Sequence, residues 1–352
     1  MTRPPGPGPA RRLEVLRAGA LTTVQDQGRP GWAHLGVPRS GALDPAALRL
    51  ANRLVGNPED AAGLEITLTG CTLRLTRAGT VALTGADADV WIGRGRLGDG
   101  RLGDGRLGDG RTGGGRTGAP NTGAPNTGAP NTGDPNTGDA RRAGPRPGVR
   151  PGDRPGDVGR PLAVPAGATV RIGPARTGLR TWLAVAGGIT VPPVLGSRST
   201  DTLSGLGPPP LRDGDVLPLG DPAGDPAPVD VTVGRPAPPL LRLRLRLGPR
   251  DDWFTPAALD RLLGTPYAVS PVSNRVGARL TGAPLPRAIA GELPSEGLVL
   301  GAVQVPADGQ PLIFLADHPT TGGYPVVGVV DDVTPLAQAR PGTTVTFHGP
   351  QR

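Results

Sequence analysis

The sequence predicts a mainly β protein, arranged as β-barrels or sandwiches with a few short helices. Short apolar runs recur along the chain and are separated by turns that draw on 58 glycines and 45 prolines. Residues 240–247 alternate leucine with arginine, which is the period of a strand with one wet face. Helix start and stop signals occur at few places. The fold should therefore rest on strands.

The first half combines one well-marked helix with short strands. Asp44 precedes Pro45 and an apolar periodic run that ends before Gly56, which predicts a capped helix. Asn57–Asp60 predicts the start of a second short helix by the same logic. We expect strands in five apolar runs, at 64–68, 72–75, 81–83, 169–172 and 182–186.

The second half repeats this pattern. After the strand at 240–247, Thr255 and Pro256 predict the start of a helix that ends at Leu263–Gly264. Strands are expected in four further runs, at 297–305, 312–315, 326–330 and 343–347.

Composition divides the chain into two β domains. We expect a disordered tail at 1–12, a first domain at 13–220, a proline-rich linker at 221–239 and a second domain at 240–350. Inside the first domain, 94–160 is a low-complexity insertion that begins with a pentapeptide repeat of nine units. The repeat offers too few apolar side chains for a solenoid core, so we expect a flexible, solvated segment.

Charge and hydropathy exclude two classes of partner. The formal charge is +8, but the excess arginine lies in the tail and the insertion, and aromatic residues make up only 3% of the chain. A nucleic-acid binder needs its positive charge on a folded face, so no nucleic-acid partner is expected. The N-terminus lacks an apolar signal segment, and the longest uncharged run, 181–197, is broken by glycines and prolines. We expect a cytoplasmic protein without a membrane partner.

The basic residues are all arginine, and this restricts the chemistry. Without lysine the chain has no attachment point for biotin, no Schiff base to pyridoxal phosphate and no P-loop lysine. One cysteine and three histidines do not provide the closely spaced ligands of a closed zinc site, so no metal is expected.

Several segments together resemble one family. They are 23–31 (Thr-Val-Gln-Asp-Gln-Gly-Arg-Pro-Gly), 36–44, 51–58 (Ala-Asn-Arg-Leu-Val-Gly-Asn-Pro), 64–65, 196–201, 273–277 (Ser-Asn-Arg-Val-Gly) and 292–325. The sequence is similar to the biotin-dependent carboxyltransferase family, also called allophanate hydrolase subunit 2, over about 13–93 and 161–350.

The resemblance implies two cyclophilin-like β-barrel domains and a small-molecule substrate. Bacterial members include a subunit of 5-oxoprolinase, which acts with subunits A and B to cleave 5-oxoproline to glutamate using ATP. The chain is therefore expected to be part of an ATP-dependent hydrolase complex, with ATP bound at the level of the complex and biotin not attached to this chain. Two alternatives stay open. One is a carboxyltransferase that uses carboxybiotin from a partner, as in urea carboxylase, and the other is a non-enzymatic regulator that binds a kinase inhibitor.

The polar turns after the C-terminal strands supply the candidate site. Asp317, Gln304 and His318 are the candidate catalytic residues, and Arg275 with Asn274 is a candidate clamp for a substrate carboxylate. The other candidate substrate-binding residues are Ser295, Glu296, Thr320, Thr321, Gly322, Gly323 and Tyr324. The two glycines expose backbone N–H groups that can stabilise an anionic oxygen.

A further set in the first domain is expected to be structural or to face a partner. It consists of Gln25, Asp26, Arg29, Asn52 and Arg198. For His318 and for the pair at 274–275, an exposed turn without a catalytic role is the alternative.

Overall fold

The computed structural model describes residues 10–94, 152–228, 239–291 and 293–349. Within these ranges it contains 18 strands and two α-helices, so the predicted mainly β class is confirmed. The pentapeptide repeat at 95–139, residues 1–9 of the predicted tail and residues 229–238 of the predicted linker lie outside the described residues. No helix in these ranges is both long and apolar enough to cross a membrane.

The first half forms a curled, half-barrel sheet of nine strands. The strands are β1 (Arg12–Arg17), β2 (Leu21–Gln25), β3 (Gly63–Thr67), β4 (Cys71–Leu75), β5 (Gly79–Gly93), β6 (Arg154–Gly156), β7 (Pro161–Val164), β8 (Thr169–Val185) and β9 (Val216–Pro218). The main path runs β2-β3-β8-β4-β1-β9, and β5 pairs with β6, β7 and β8. Register shifts between 85 and 90 interrupt the long β5–β8 pairing, and such bulges bend a sheet.

The predicted helix of the first half is confirmed as α1 (Pro45–Leu54), and the Asp44 carboxylate accepts a hydrogen bond of 2.9 Å from the Ala47 N–H. The second short helix predicted at Asn57–Asp60 is wrong, because these residues form a turn. The Asn57 side chain points inward there and donates to the backbone oxygen of Val185 at 2.9 Å. Its hydrogen bonds hold the turn in place of helical ones.

The second half is a closed seven-stranded barrel in the order β10-β17-β14-β15-β12-β11-β18. The strands of this half are β10 (Leu240–Leu247), β11 (Tyr267–Val269), β12 (Gly277–Thr281), β13 (Glu296–Gly297), β14 (Ala302–Gln304), β15 (Leu312–Phe314), β16 (Thr321–Gly322), β17 (Val326–Val330) and β18 (Thr344–His348). The short strands β13 and β16 pair with each other outside the barrel. The helix α2 (Pro256–Gly264) is capped by Thr255, whose hydroxyl accepts from the Ala258 N–H at 3.1 Å.

The alternation predicted for 240–247 is confirmed in β10. Leu241, Leu243 and Leu245 point into the barrel core, and the intervening arginines are exposed. Several other expectations differ in extent. The strand expected at 297–305 is divided between β13 and β14, because residues 298–301 are not in a strand. The runs 169–172 and 182–186 belong to the single strand β8, and β6 lies inside the expected insertion 94–160, so the last residues of that segment join the sheet.

One apolar cluster spans the two halves, beside a large cluster that belongs to the first half alone. Trp182 of β8 and Leu48 of α1 are buried in the same cluster as barrel residues such as Val345 and Phe347 of β18. The junction is therefore packed like a protein interior, and polar groups within it need partners.

Candidate functional site

A buried ion cluster crosses the junction between the two halves. Arg275, at the entrance to β12, is 1% exposed and donates from Nη1 to Glu65 of β3 at 2.6 Å. Its Nε and Nη2 donate to the two oxygens of Asp317 at 2.9 and 3.0 Å, and Nη2 also donates to the Gly41 carbonyl at 2.6 Å. Every guanidinium nitrogen of Arg275 is therefore engaged.

The two carboxylates of this cluster are held from other directions as well. Asp317 accepts hydrogen bonds from the backbone N–H and the hydroxyl of Thr202, at 3.0 and 2.7 Å. Glu65 accepts from the Leu43 N–H at 3.0 Å through Oε2, and the Arg180 Nε lies 3.4 Å from Oε1, the oxygen that Arg275 also contacts. Two cations and two anions balance, which is what a buried charge cluster requires.

Burial and charge act in opposite directions on the two arginines. Burial by itself lowers the pKa of Arg275, but the adjoining carboxylates of Glu65 and Asp317 outweigh it and raise the pKa above its ordinary value. Burial dominates for Arg180 and lowers its pKa to about 10, with Glu65 opposing the shift. Both guanidinium groups remain charged at neutral pH.

The cluster fixes the segment 40–43, which precedes α1. The Ser40 N–H donates to the Ala316 carbonyl at 3.0 Å, and the Gly41 carbonyl accepts from Arg275. The Ala42 N–H donates to the Asp26 carbonyl at 3.0 Å, and the Leu43 N–H donates to Glu65. Each residue of the segment is thus tied to one half or the other.

A cleft of about 150 Å³ lies over this segment. The polar side chains that line it include Gln27, Arg39, Ser40, His318, Asp331 and Asp332. Ser40 is 3% exposed, its φ is 52°, and its hydroxyl has no hydrogen-bond partner among the described residues. A non-glycine residue held in this region of φ stores strain, and such strain gathers at functional sites.

His318 lines the same cleft in a defined tautomer. Its Nδ1 lies 2.7 Å from the Pro319 carbonyl, which can only accept, so Nδ1 carries the proton and Nε2 keeps a lone pair when the ring is neutral. Burial is the main cause that lowers the pKa of His318, against the hydrogen bond to Pro319 and the charge of Asp317. The ring is therefore a neutral acceptor at pH 7.

The residues predicted around 304 and 320–324 gather beside the β13–β16 ribbon. Gln304 is buried at the end of β14 and donates to the Tyr324 carbonyl at 2.9 Å. The Thr320 carbonyl accepts from the Leu298 N–H at 2.8 Å, and Thr321 with Gly322 forms β16. The Gly323 backbone approaches the Leu293 carbonyl closely, since an added Cβ would lie 3.3 Å from it. The Tyr324 ring is half exposed.

Neither these residues nor the three other predicted binding residues line the cleft. The Asn274 side chain accepts from the N–H groups of Val276 and Gly277, at 2.9 and 3.2 Å, and so closes the turn before β12. Glu296 pairs with Arg250, whose Nε donates to it at 2.9 Å. Ser295 is exposed next to Glu296.

The first-half residues form a separate buried hydrogen-bond hub. The Asp26 carboxylate accepts from the Gly28 N–H at 2.8 Å and from the hydroxyls of Ser197 and Ser199, both at 2.6 Å. It also accepts from the Arg198 N–H.

Gln25 and Arg29 extend the hub, whereas Asn52 belongs to a separate set of bonds after α1. Gln25 donates to the Thr200 carbonyl at 3.1 Å, and Arg29 donates to the carbonyls of Val194 and Ser199. Asn52 of α1 donates to the Ala61 carbonyl at 2.7 Å. These contacts hold the loop after β2 and the turn after α1.

Sequence reasoning singled out Asp317, Arg275 and His318 but assigned no site role to Arg39, Ser40, Glu65, Arg180 or Thr202. The signal for Ser40 is its place in Pro38-Arg39-Ser40-Gly41, directly before a capped helix. Nothing in the local sequence indicates that Glu65 and Arg180 come together with Arg275, because their contact depends on how the two halves pack.

Comparison with known families places both halves of the chain in one group. A family model described as "Carboxyltransferase domain, subdomain A and B" matches residues 35–100 and 143–349. The chain is 35% identical over 343 residues to the C subunit of 5-oxoprolinase from Escherichia coli, covering 95% of this chain and 90% of that protein. It is 27% identical over 343 residues to the protein of the same name from Haemophilus influenzae, of which it covers 90%.

Solved structures agree with this relationship. The crystal structure of TTHA0988 superposes with a TM-score of 0.72 at 33% identity, over 98% of this chain and 57% of that chain. The Kluyveromyces lactis urea amidolyase superposes with a TM-score of 0.75 at 25% identity, over 98% of this chain but 19% of that chain. This chain thus spans little more than half of TTHA0988 and about a fifth of the urea amidolyase. On the family model and the identity to the C subunit of 5-oxoprolinase, the chain belongs to the carboxyltransferase domain family, with its subdomains A and B.

Proposed function

We propose that this chain is one subunit of an ATP-dependent 5-oxoprolinase, a hydrolase that opens the lactam of 5-oxoproline to give glutamate. The observation that carries the proposal is the 35% identity to the C subunit of 5-oxoprolinase across 90% of that protein. Identity of this extent covers both β halves and the junction between them.

The cleft supplies a chemical basis for the proposal. His318 offers a neutral ring with an acceptor Nε2, which suits it to receive a proton or to orient a water or an N–H group. Asp317 is fully buried and bonded to Arg275 and Thr202, so we propose that it positions the cleft floor through Arg275. In the same proposal, Gln304 and the Gly322–Gly323 backbone shape the neighbouring loop.

ATP and the partner chains complete the proposal. A lysine-free chain lacks the P-loop lysine that binds nucleotide phosphates, so we propose that companion subunits A and B contribute the ATP site. The present chain then contributes a lactam site to the shared complex.

Co-expression with subunits A and B tests this function. Glutamate release from 5-oxoproline is measured with and without ATP, for the full complex and for a complex that carries His318→Gln. We expect ATP-dependent glutamate from the full complex and a large loss of kcat with His318→Gln. An intact, folded complex that releases no glutamate would remove the proposal.

The similarity to urea amidolyase supports a second candidate, a carboxyltransferase that passes carboxylate from carboxybiotin to an amide. The lower identity of 28% to the Lachancea kluyveri urea amidolyase makes it the weaker of the two. Carboxylation of urea by this chain with a carboxybiotin donor, without lactam opening, would favour it.

A further inference from the structure

The cleft contains an arginine whose charge has no partner among the described residues. Arg39 is exposed, lines the cleft and makes no side-chain hydrogen bond or ion pair within the described ranges. Arg275 lies beneath the cleft floor and all its guanidinium nitrogens are already bonded. A substrate could contact it only by displacing Asp317, Glu65 or the Gly41 carbonyl. An incoming anion therefore meets Arg39 first.

The neighbouring Ser40 provides an independent sign of a ligand. Its backbone is fixed in a left-handed conformation by the bond to Ala316, and its buried hydroxyl is left without a partner within the described chain. A buried hydroxyl without a partner is unfavourable unless a ligand or a water completes it. The strain and the open hydroxyl occur at the residue that adjoins Arg39.

The other polar groups of the cleft limit which ligands it can bind. Asp331 is held by Arg246, at 2.6 Å, so it is already neutralised. Asp332 uses one oxygen to accept from the Thr334 N–H at 2.9 Å, and His318 offers an acceptor nitrogen. Among the described residues, the lining thus provides one free cation at Arg39, the hydroxyls of Ser40 and Thr334, and acceptors for an N–H group, which include the Asp332 carboxylate and the His318 ring.

We propose that Arg39 and Ser40 form the recognition site for the carboxylate of a small cyclic amide acid, and that Arg39 selects such acids over uncharged amides. The guanidinium binds the carboxylate through paired hydrogen bonds, and the Ser40 hydroxyl donates to the same ligand. The amide N–H faces the acceptor side of the cleft. This proposal rests on the proposed lactam hydrolysis and specifies which residues read the substrate.

Steady-state kinetics of the complex with subunits A and B test it. Arg39→Gln is compared with Arg53→Gln, an exposed arginine on α1 that pairs with Glu59 away from the cleft lining. We expect Arg39→Gln to raise KM for 5-oxoproline at least ~tenfold with kcat nearly unchanged, and Arg39→Lys to restore part of the loss. The neutral lactam 2-pyrrolidinone has no carboxylate, so it should inhibit Arg39→Gln and Arg53→Gln equally. Equal KM values for Arg39→Gln and Arg53→Gln would overturn the proposal.

Ligand-observed NMR with the full chain separates failure of this site from failure of the proposed function. Wild-type protein should show saturation transfer to 5-oxoproline, and Arg39→Gln and Ser40→Gly should lose it; glycine accepts the left-handed backbone, so that variant should fold. If the complex is inactive but binding depends on Arg39, the proposed function fails and the recognition site stands. If the complex is active and Arg39→Gln matches wild type, the function stands and the site fails. Absence of binding by wild-type protein also overturns the site.

Discussion

Arg275 donates a hydrogen bond of 2.6 Å to Glu65, a residue 210 positions earlier in the chain and on the opposite side of the junction. Both side chains are 1% exposed. Removing one member of such a pair leaves the other charge buried without compensation, and that cost exceeds the loss of the hydrogen bond itself. The junction should therefore depend on this contact for its stability.

Arg275→Gln and Glu65→Gln should each lower the free energy of unfolding by about 3–5 kcal/mol. Urea unfolding followed by tryptophan fluorescence measures the change. The matched control is Arg53→Gln, whose pair with Glu59 is about half exposed on both sides and should contribute about 0–1 kcal/mol. Equal effects of Arg275→Gln and Arg53→Gln would contradict a structural role for the buried cluster.

Asp26→Ala should destabilise the first half by about 3 kcal/mol. The substitution removes the acceptor that is shared by four donors, the N–H groups of Gly28 and Arg198 and the hydroxyls of Ser197 and Ser199. Asp87→Ala is the comparison, since Asp87 pairs with Arg176 at the surface and should change stability by about 0–1 kcal/mol. The midpoints of urea unfolding measure both changes in stability, provided that the m value is unchanged. A small effect at Asp26 would argue that the hub faces a partner instead of holding the loop.

Ser40→Gly and Ser40→Val should move stability in opposite directions. Glycine adopts a φ of 52° without strain, whereas a β-branched side chain is strongly disfavoured there. We expect Ser40→Gly to be neutral or slightly stabilising and Ser40→Val to cost about 1–3 kcal/mol. Thermal unfolding of the two variants beside wild type measures the difference. Equal stability of both variants would show that the backbone at 40 is relaxed.

His318 should titrate below its ordinary pKa, because burial lowers its pKa. A histidine that is neutral in the fold contributes stability above the unfolded pKa of about 6.5, and this contribution is lost as the pH falls through the lower folded pKa. The stability difference between wild type and His318→Gln should therefore shrink as the pH falls from above about 6.5 through the lowered pKa of His318 in the fold. Nitrogen-15 NMR at neutral pH should also show Nδ1 protonated and Nε2 free. A pKa at or above about 6.5 would contradict the burial argument.

Replacing 95–151 by a short glycine–serine turn should leave the sheet intact, because Ile92 and Arg154 are directly paired neighbours on β5 and β6. If the insertion is the solvated segment that its composition predicts, shortening the loop should raise stability by up to about 2 kcal/mol. Urea unfolding of the shortened chain measures this change. A large loss of stability would show that the repeat takes part in the folded structure.

The periodic spacing of apolar and polar side chains, together with the helix caps, predicted much of the fold. Leucine–arginine alternation fixed the extent of β10, and the cap residues Asp44 and Thr255 located both helices, because each of these signals is local. The helix expected at Asn57–Asp60 failed for a physical reason, since the Asn57 amide finds better partners in α1 and β8 than a helical turn offers.

The candidate site was predictable only in part. Polar residues after strands indicated Asp317 and His318, because strand ends are where the backbone exposes its polar groups. The partners of Arg275 could not be deduced, because a carboxylate in the first half becomes its neighbour only when both β units have packed. The strained backbone at Ser40 could not be predicted from the sequence either. It arises because the Ser40 N–H is bonded to the Ala316 carbonyl and the adjacent Gly41 carbonyl is bonded to Arg275.

The anchoring of 40–43 by both halves makes the two units interdependent. Neither unit alone can build a floor for the cleft, so fragments cut at the linker should regain a working pocket only by reassembling with each other. Outer strands and loops can change one at a time, whereas a change at Glu65 or Arg275 calls for a compensating change across the boundary. The half-barrel sheet and the closed barrel thus build the cleft jointly and are not independent modules.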